Sequence, residues 1–271
     1  MRLRFLFGSL LCLALPVLGQ AFTHRDIAFL GAAQVVAPTW VPSDLANLNA
    51  WWLLGGTNYA TNGNMTSWAD VGANHWHLTN WNANPALFAQ KLTENALDSN
   101  PFLRTHGSYT VPYLVSDNYT NRATCETWLV LRRITDVANQ YLMDARTAAP
   151  SRHYVMSSTA NGNRVYQGGT AASCAVRPTN EWHVLTLIFS PGQALVWTNG
   201  AVATNTVSNV GSDAMSGVTF GTYRTLGSGG QDFDFAEIVD YSTTNSAADR
   251  ALVFNYLTNK YKVIHTNLWG L

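Results

Sequence analysis

The chain has 271 residues and no formal net charge: 16 Lys and Arg balance 16 Asp and Glu, and charged residues make up only 12% of it. So sparse a charge supplies no basic stripe for neutralising phosphates, which argues against nucleic acid as a partner. It also weakens any electrostatic docking to a membrane surface.

The first twenty residues, MRLRFLFGSLLCLALPVLGQ, place Arg2 and Arg4 ahead of an apolar run from Phe5 to about Leu18 that small residues close. This is the pattern of a secretory signal peptide, with cleavage expected between Gly19 and Ala21. The run is shorter than the roughly 20 residues a bilayer span needs, and no later stretch is apolar enough, so no membrane span is expected. Leu11 stands before Cys12 where a lipoprotein signal wants a small residue, so no lipid anchor is expected either. Loss of Arg2 and Arg4 leaves 14 basic against 16 acidic residues, a net charge near −2. The expected organisation is a leader at 1–20, a tether at 21–39 and one domain at 40–271, secreted to the exterior, the cell surface or the periplasm. Once Cys12 leaves with the leader, Cys125 and Cys174 remain, an even count in an oxidising compartment. One disulfide between them is expected, the alternative being two separate buried thiols.

From Thr124 onward short apolar stretches alternate with Gly, Asn, Ser and Pro, as strands alternate with turns in an all-β sandwich. Within 124–134, Cys125, Thr127, Leu129 and Leu131 share one face, while Glu126, Trp128, Val130 and Arg132 share a mixed one. Residues 182–189 are apolar on both faces, which predicts a strand with neighbours packed above and below it. After Ser190-Pro191-Gly192 come Ala194–Thr198, Asn199-Gly200 and Ala201–Thr206, and Asn-Gly predicts a two-residue hairpin loop. Two further strands are expected at Val218–Gly221 and Asp232–Tyr241. One helix follows: Ser246-Ala247-Ala248-Asp249 has capping-box-like spacing, and Ala248, Leu252, Val253, Tyr256 and Leu257 recur at helical intervals before Lys260 and Lys262.

Five stretches in this order resemble the laminin-G-like jelly-roll domains of the concanavalin A-like lectin and glucanase superfamily. Trp40–Leu45 with Leu48–Trp52 is similar to the family's opening strand, and Trp68–His75 resembles its W-x-D-x-S-G-N-G loop. Residues 181–187 and 196–200 resemble a W-H-x-V strand and a strand followed by Asn-Gly, and 234–261 is similar to the closing strand and helix. The resemblance implies a two-sheet antiparallel sandwich with a short C-terminal helix. In the Trp68 loop, Gly72 and Ala73 replace Ser-Gly and His75 takes a glycine position.

Six of the ten tryptophans fall between Trp40 and Trp81. Asn74, His75, Trp76 and Trp81 lie in a segment that pairs indoles with amides and imidazoles, and a pyranose wants both, a flat ring under its C–H face and polar partners for its hydroxyls. Core packing is the alternative for these rings. Asp232, Asp234 and Glu237 resemble the E-x-D-x-x-E spacing of retaining glucanases on this sandwich, where two carboxyl groups stand about 5–5.5 Å apart. On a regular strand Glu237 points away from Asp232 and Asp234, so catalysis there requires a bulge. Asp232 and Asp234 are also candidate calcium ligands. His75 and His77, at an i, i+2 interval, do not have zinc-site spacing, and neither a G-x-S-x-G elbow nor a phosphate loop is present. The leading expectation is a secreted, non-catalytic, lectin-like module that binds polysaccharide or a glycoprotein glycan without a cofactor. The alternatives are a glycoside hydrolase or polysaccharide lyase using Asp232, Asp234 and Glu237, and a structural or protein-adhesion domain.

Overall fold

Among the described residues, those that favour pleated, half-buried backbone form sixteen strands, and one long helix follows them. The computed structural model describes residues 40–54, 66–80, 90–93, 97–105, 114–116, 119, 122–135, 137–146, 153–157, 162–176, 179–200, 205–223, 230 and 232–263. These all belong to one compact unit that begins at Trp40. None of the described helices is long and apolar enough to cross a membrane.

One sheet runs in the order β14 (Asn205–Ser208), β13 (Gln193–Thr198), β12 (Trp182–Ser190), β7 (Cys125–Arg133), β16 (Phe233–Tyr241), β5 (Pro101–Arg104), β4 (Gln90–Thr93). Its eighth strand, β1 (Leu48–Leu53), pairs with β16 beyond the reach of β5. The second sheet runs β11 (Ala172–Val176), β10 (Gly162–Tyr166), β9 (Tyr154–Ser157), β8 (Tyr141–Ala145), β15 (Val218–Phe220), β6 (Leu114–Ser116), β3 (Leu78–Asn80), β2 (Ser67–Trp68). Neighbouring strands are antiparallel in both sheets. The sheets share one apolar layer, in which the ring of Phe220 from β15 lies 6.0 Å from both Trp52 of β1 and Phe235 of β16. This is the expected two-sheet sandwich.

A second apolar layer lies on the far side of the first sheet, under α1 (Ala247–Tyr261). It explains why β12 is buried along 182–189: Leu185, Leu187 and Phe189 face the layer between the sheets, and Trp182 and Val184 face the helix layer. Ser246 caps α1 as expected, its hydroxyl accepting from Asp249 N at 3.1 Å. The buried stripe agrees with the expected one at Val253 and Leu257 and differs at its margins. Val253, Leu257 and Tyr261 are buried, whereas Ala248 and Leu252 face solvent. The helix is rolled toward the i, i+4, i+8 row, which carries the Tyr261 hydroxyl to Glu237 in the sheet below.

Two local expectations need correction. Asn199 and Gly200 do have positive φ, 53° and 68°, at the end of β13. However, Val196 pairs with Asn205, whereas a two-residue loop at Asn199-Gly200 would pair it with residue 203. The described register is therefore two residues off that of an unbroken two-residue hairpin. Asn199 is held to β12 instead, with Val184 N donating to Asn199 Oδ1 at 2.9 Å and Asn199 N donating to Val184 O at 2.7 Å.

The second correction is the disulfide: Cys125 is a free, fully buried thiol. It stands in β7 at the middle of one sheet, while Cys174 belongs to β11 at the edge of the other. The Cys125 thiol meets His153 instead, with Sγ 3.7 Å from Nδ1. His153 Nε2 lies 2.5 Å from the Asp213 carbonyl and donates to it, which leaves Nδ1 to accept from the thiol. The ring stacks on Phe189 at 4.7 Å.

Both groups are held in their neutral forms, chiefly by burial. The Cys125 thiol is pushed up to about 12, and the His153 imidazole is lowered to about 4. In alkylation with iodoacetamide without reductant, Cys125 is expected to stay unmodified in the native protein and to react once the chain is unfolded. A non-alkylated Cys125 in the unfolded chain would restore the disulfide. The His153 shift also fixes a pH dependence. Between about 4 and the ordinary histidine value of about 6.5, the unfolded chain binds the proton and the folded one does not, so stability falls as pH drops through that window. The loss approaches roughly 3 kcal/mol. Urea midpoints measured from pH 7 to pH 4 should show this decline, and His153→Gln should flatten it.

Candidate functional site

The three acids of the closing strand are where the first candidate site would lie. β16 pairs Phe235 with Leu131 but Glu237 with Val130, so Ala236 is an extra residue. This bulge falls where the other neighbour of β16 changes from β5 to β1. It places Asp234, Ala236 and Glu237 on the helix side, the arrangement that catalysis by these acids requires.

The carboxylates are nevertheless closed off. Both oxygens of Asp234 are occupied, Oδ1 by Arg104 Nε at 2.7 Å and Oδ2 by Arg132 Nη2 at 2.6 Å. Glu237 accepts from Trp51 Nε1 at 2.6 Å, Tyr261 Oη at 2.7 Å and Lys260 Nζ at 2.5 Å. The side chains of both acids are 0% exposed. Burial, reinforced by the Glu237 carboxylate, holds the hydroxyls of Tyr256 and Tyr261 well above the ordinary tyrosine range, so they remain donors. Asp232 lies just before the strand, half-buried. Two guanidinium groups at Asp234 also make it a poor calcium ligand, and the described residues contain no cluster of three His, Cys, Asp or Glu that would hold a metal.

The second candidate is the loop between β2 and β3. Asp70, 3% exposed, organises it. Its Oδ1 accepts from Trp51 N and Gly72 N and its Oδ2 from Trp76 N, each at 2.8 Å. Three backbone donors on one carboxylate fix the path of 70–76 against β1. Gly72 fits this wrap, since a Cβ there would stand 3.0 Å from Asp70 Oδ1. His75 has φ 57°, so its backbone takes the left-handed conformation that glycine favours.

The expected sugar-contacting residues Asn74, His75 and Trp76 therefore share one fixed loop. Asn74 and His75 are exposed, and Asn74 Nδ2 donates to Asn49 O at 2.9 Å. Trp76 is half-buried: it packs on the layer between the sheets, its ring 6.0 Å from Tyr119, and its carbonyl accepts from Trp52 Nε1 at 2.7 Å. Trp81 lies outside the described residues. Asp70 and His77 were not among the expected site residues. Asp70 was visible as the acid of the W-x-D motif, and His77 only as the second histidine of a pair judged for zinc.

A second aromatic group crosses the other sheet. Tyr154 and Tyr166, opposite one another on β9 and β10, stack at 4.8 Å, and Tyr141 meets Tyr154 at 5.5 Å and Tyr223 at 5.0 Å. Tyr154 and Tyr166 spend one face each on the other, which leaves less flat surface for stacking than the composition suggests.

No family model matches the sequence, and no curated protein matches it. Solved structures are similar in fold at low identity. The binding domain of Paraclostridial Mosquitocidal Protein 1 has a TM-score of 0.56 at 12% identity, over 81% of this chain and 54% of that one. A Trypanosoma rangeli sialidase in complex with a difluorinated sugar acid has a TM-score of 0.55 at 14% identity, over 83% of this chain and 36% of that one. Botulinum neurotoxin type C, whose structure is described in terms of interaction with two ganglioside molecules, has a TM-score of 0.53 at 10% identity, over 78% of this chain and 51% of that one. The chain thus spans about half the length of the toxin chains and about a third of the sialidase. At these identities the likeness establishes the β-sandwich fold.

The ion pair beneath α1 gives a test of whether Glu237 is structural. Glu237→Ala leaves the Lys260 ammonium without its counter-ion at a half-buried site, and a loss of about 3 kcal/mol is expected. In urea denaturation, Glu237→Leu combined with Lys260→Met should recover only the part of that loss due to the stranded ammonium, because Trp51 Nε1 still lacks its acceptor.

Proposed function

We propose that this chain is a carbohydrate-binding β-sandwich that holds a glycan at the loop 70–77 without chemical turnover. The observation that carries the reading is the Asp70 clamp. It fixes in advance a loop that exposes Asn74 and His75 beside the partly open indole of Trp76, so little ordering cost is left for binding. Flat aromatic surface next to amide and imidazole groups is the combination that suits a pyranose. Ganglioside and sugar-acid ligands of structurally similar proteins support the same class of partner. The commitment of Asp234 and Glu237 to buried ion pairs favours binding over hydrolysis.

The wider reading follows the sequence. The leader at 1–20 supports export, with 21–39 as a tether and 40–271 as a laminin-G-like domain of the concanavalin A-like superfamily. It would act on a polysaccharide or glycoprotein glycan at the cell surface, outside the cell or in the periplasm.

A glycan array combined with pull-down on insoluble polysaccharides tests the proposal. His75→Gly is the sharper variant, because glycine accepts the backbone conformation at 75 and removes only the imidazole. Retention should weaken about fivefold with unchanged thermal stability, and Trp76→Ala should weaken it further. Absence of retention on every glycan, or full retention by both variants, would refute the reading.

A further inference from the structure

Resting on the glycan-binding reading, we infer that His77 determines specificity at this loop, presenting a fixed Nε2–H donor to a hydroxyl of an uncharged sugar. A backbone N–H can only donate, and that of Asp70 points at His77 Nδ1 from 3.1 Å. Nδ1 is therefore the acceptor and carries no proton, so in the neutral ring the proton sits on Nε2. His77 is half-buried and its ring lies 6.2 Å from that of His75.

Asn74 supplies the complementary group. One of its two Nδ2 hydrogens goes to Asn49 O, which holds the amide so that Oδ1 is left to accept. A sugar hydroxyl both donates and accepts, and so matches a loop that offers a fixed donor and a fixed acceptor. A carboxylate does not. The one charged side chain within 70–77 is Asp70, itself an acid and already holding three N–H donors, so an anionic sugar gains no ion pair from this loop. The same tautomer speaks against His77 as a metal ligand, because its Nδ1 is engaged and its Nε2 is protonated.

Two variants separate recognition from loop structure. In His77→Asn the side-chain oxygen replaces Nδ1 as acceptor for Asp70 N, and the donor is lost. In His77→Gln an amide N–H takes the place of Nε2–H. Long-range ¹⁵N–¹H NMR of the full chain should show Nδ1 unprotonated and Nε2 protonated at residue 77. Calorimetric titration with laminarihexaose, lactose and 3′-sialyllactose should show binding to a neutral probe. That binding should be about tenfold weaker in His77→Asn at unchanged melting temperature, and mostly restored in His77→Gln. A proton on Nδ1, undiminished binding by His77→Asn, or tighter binding of 3′-sialyllactose than of lactose overturns the inference and leaves the glycan reading standing. No binding of any probe by the unmodified protein overturns both.

Discussion

The structure depends on how β16 accommodates carboxylates that have no access to water. Asp234, Glu237 and Asp240 recur along β16, an interior strand of the first sheet, each at most 2% exposed. An unpaired charge in such a place costs several kcal/mol. Each therefore draws a partner from another element. Asp234 takes arginines from β5 and β7, Glu237 takes Trp51 from β1 and Lys260 and Tyr261 from α1, and Asp240 takes Arg122 and Thr127. Because these bonds are directional, they fix which strand lies where and how the helix is rolled. Glu126 on β7 does the same from the neighbouring strand, accepting from Arg250 of α1 at 2.9 Å and from Asn245 before it. Apolar burial drives the sandwich together, and the carboxylates specify one way of stacking it.

Much of this was legible in the sequence wherever one face of an element meets one environment. The two-faced apolarity of 182–189 gave away a covered strand, and the serine at 246 with the acid three residues on gave away the helix start. What pattern could not give was the phase of elements held by polar contacts. The helix stripe holds at Val253 and Leu257 but extends to Tyr261, whose hydroxyl is bound to Glu237, and leaves Leu252 exposed. The bulge at Ala236 is a misfit between β16 and β7, and a misfit belongs to two strands rather than to either sequence. The pairing of Cys125 with Cys174 rested on an even count. Distance decides such a bond, and counting residues supplies no distance.

The candidate site divides in the same way. Asn74, His75 and Trp76 were picked out for their chemistry, and contiguity alone places them in one loop. The property that makes the loop a site is its fixed shape, and that comes from Asp70 reaching back to Trp51 of β1, nineteen residues earlier. The backbone at 75 makes the left-handed turn that glycine favours, so the imidazole adds surface chemistry at a position where glycine would leave the path unchanged.

Two groups of acids on one sandwich thus have opposite outcomes from the same physics. On β16, three carboxylates lie under a helix and between sheets, where desolvation makes counter-ions obligatory, and once bound in that way they have nothing left to offer a substrate. At Asp70, the acid is buried but satisfied by backbone N–H groups, so the side chains around it need not turn inward to neutralise it. They remain free to face solvent on a backbone already ordered. A β-sandwich can host binding and turnover alike, so fold does not choose between them. What chooses is which polar groups remain uncommitted after the chain has satisfied its buried charges. Of the candidates named from the sequence, those left open at the surface of the described chain are on the loop 70–77.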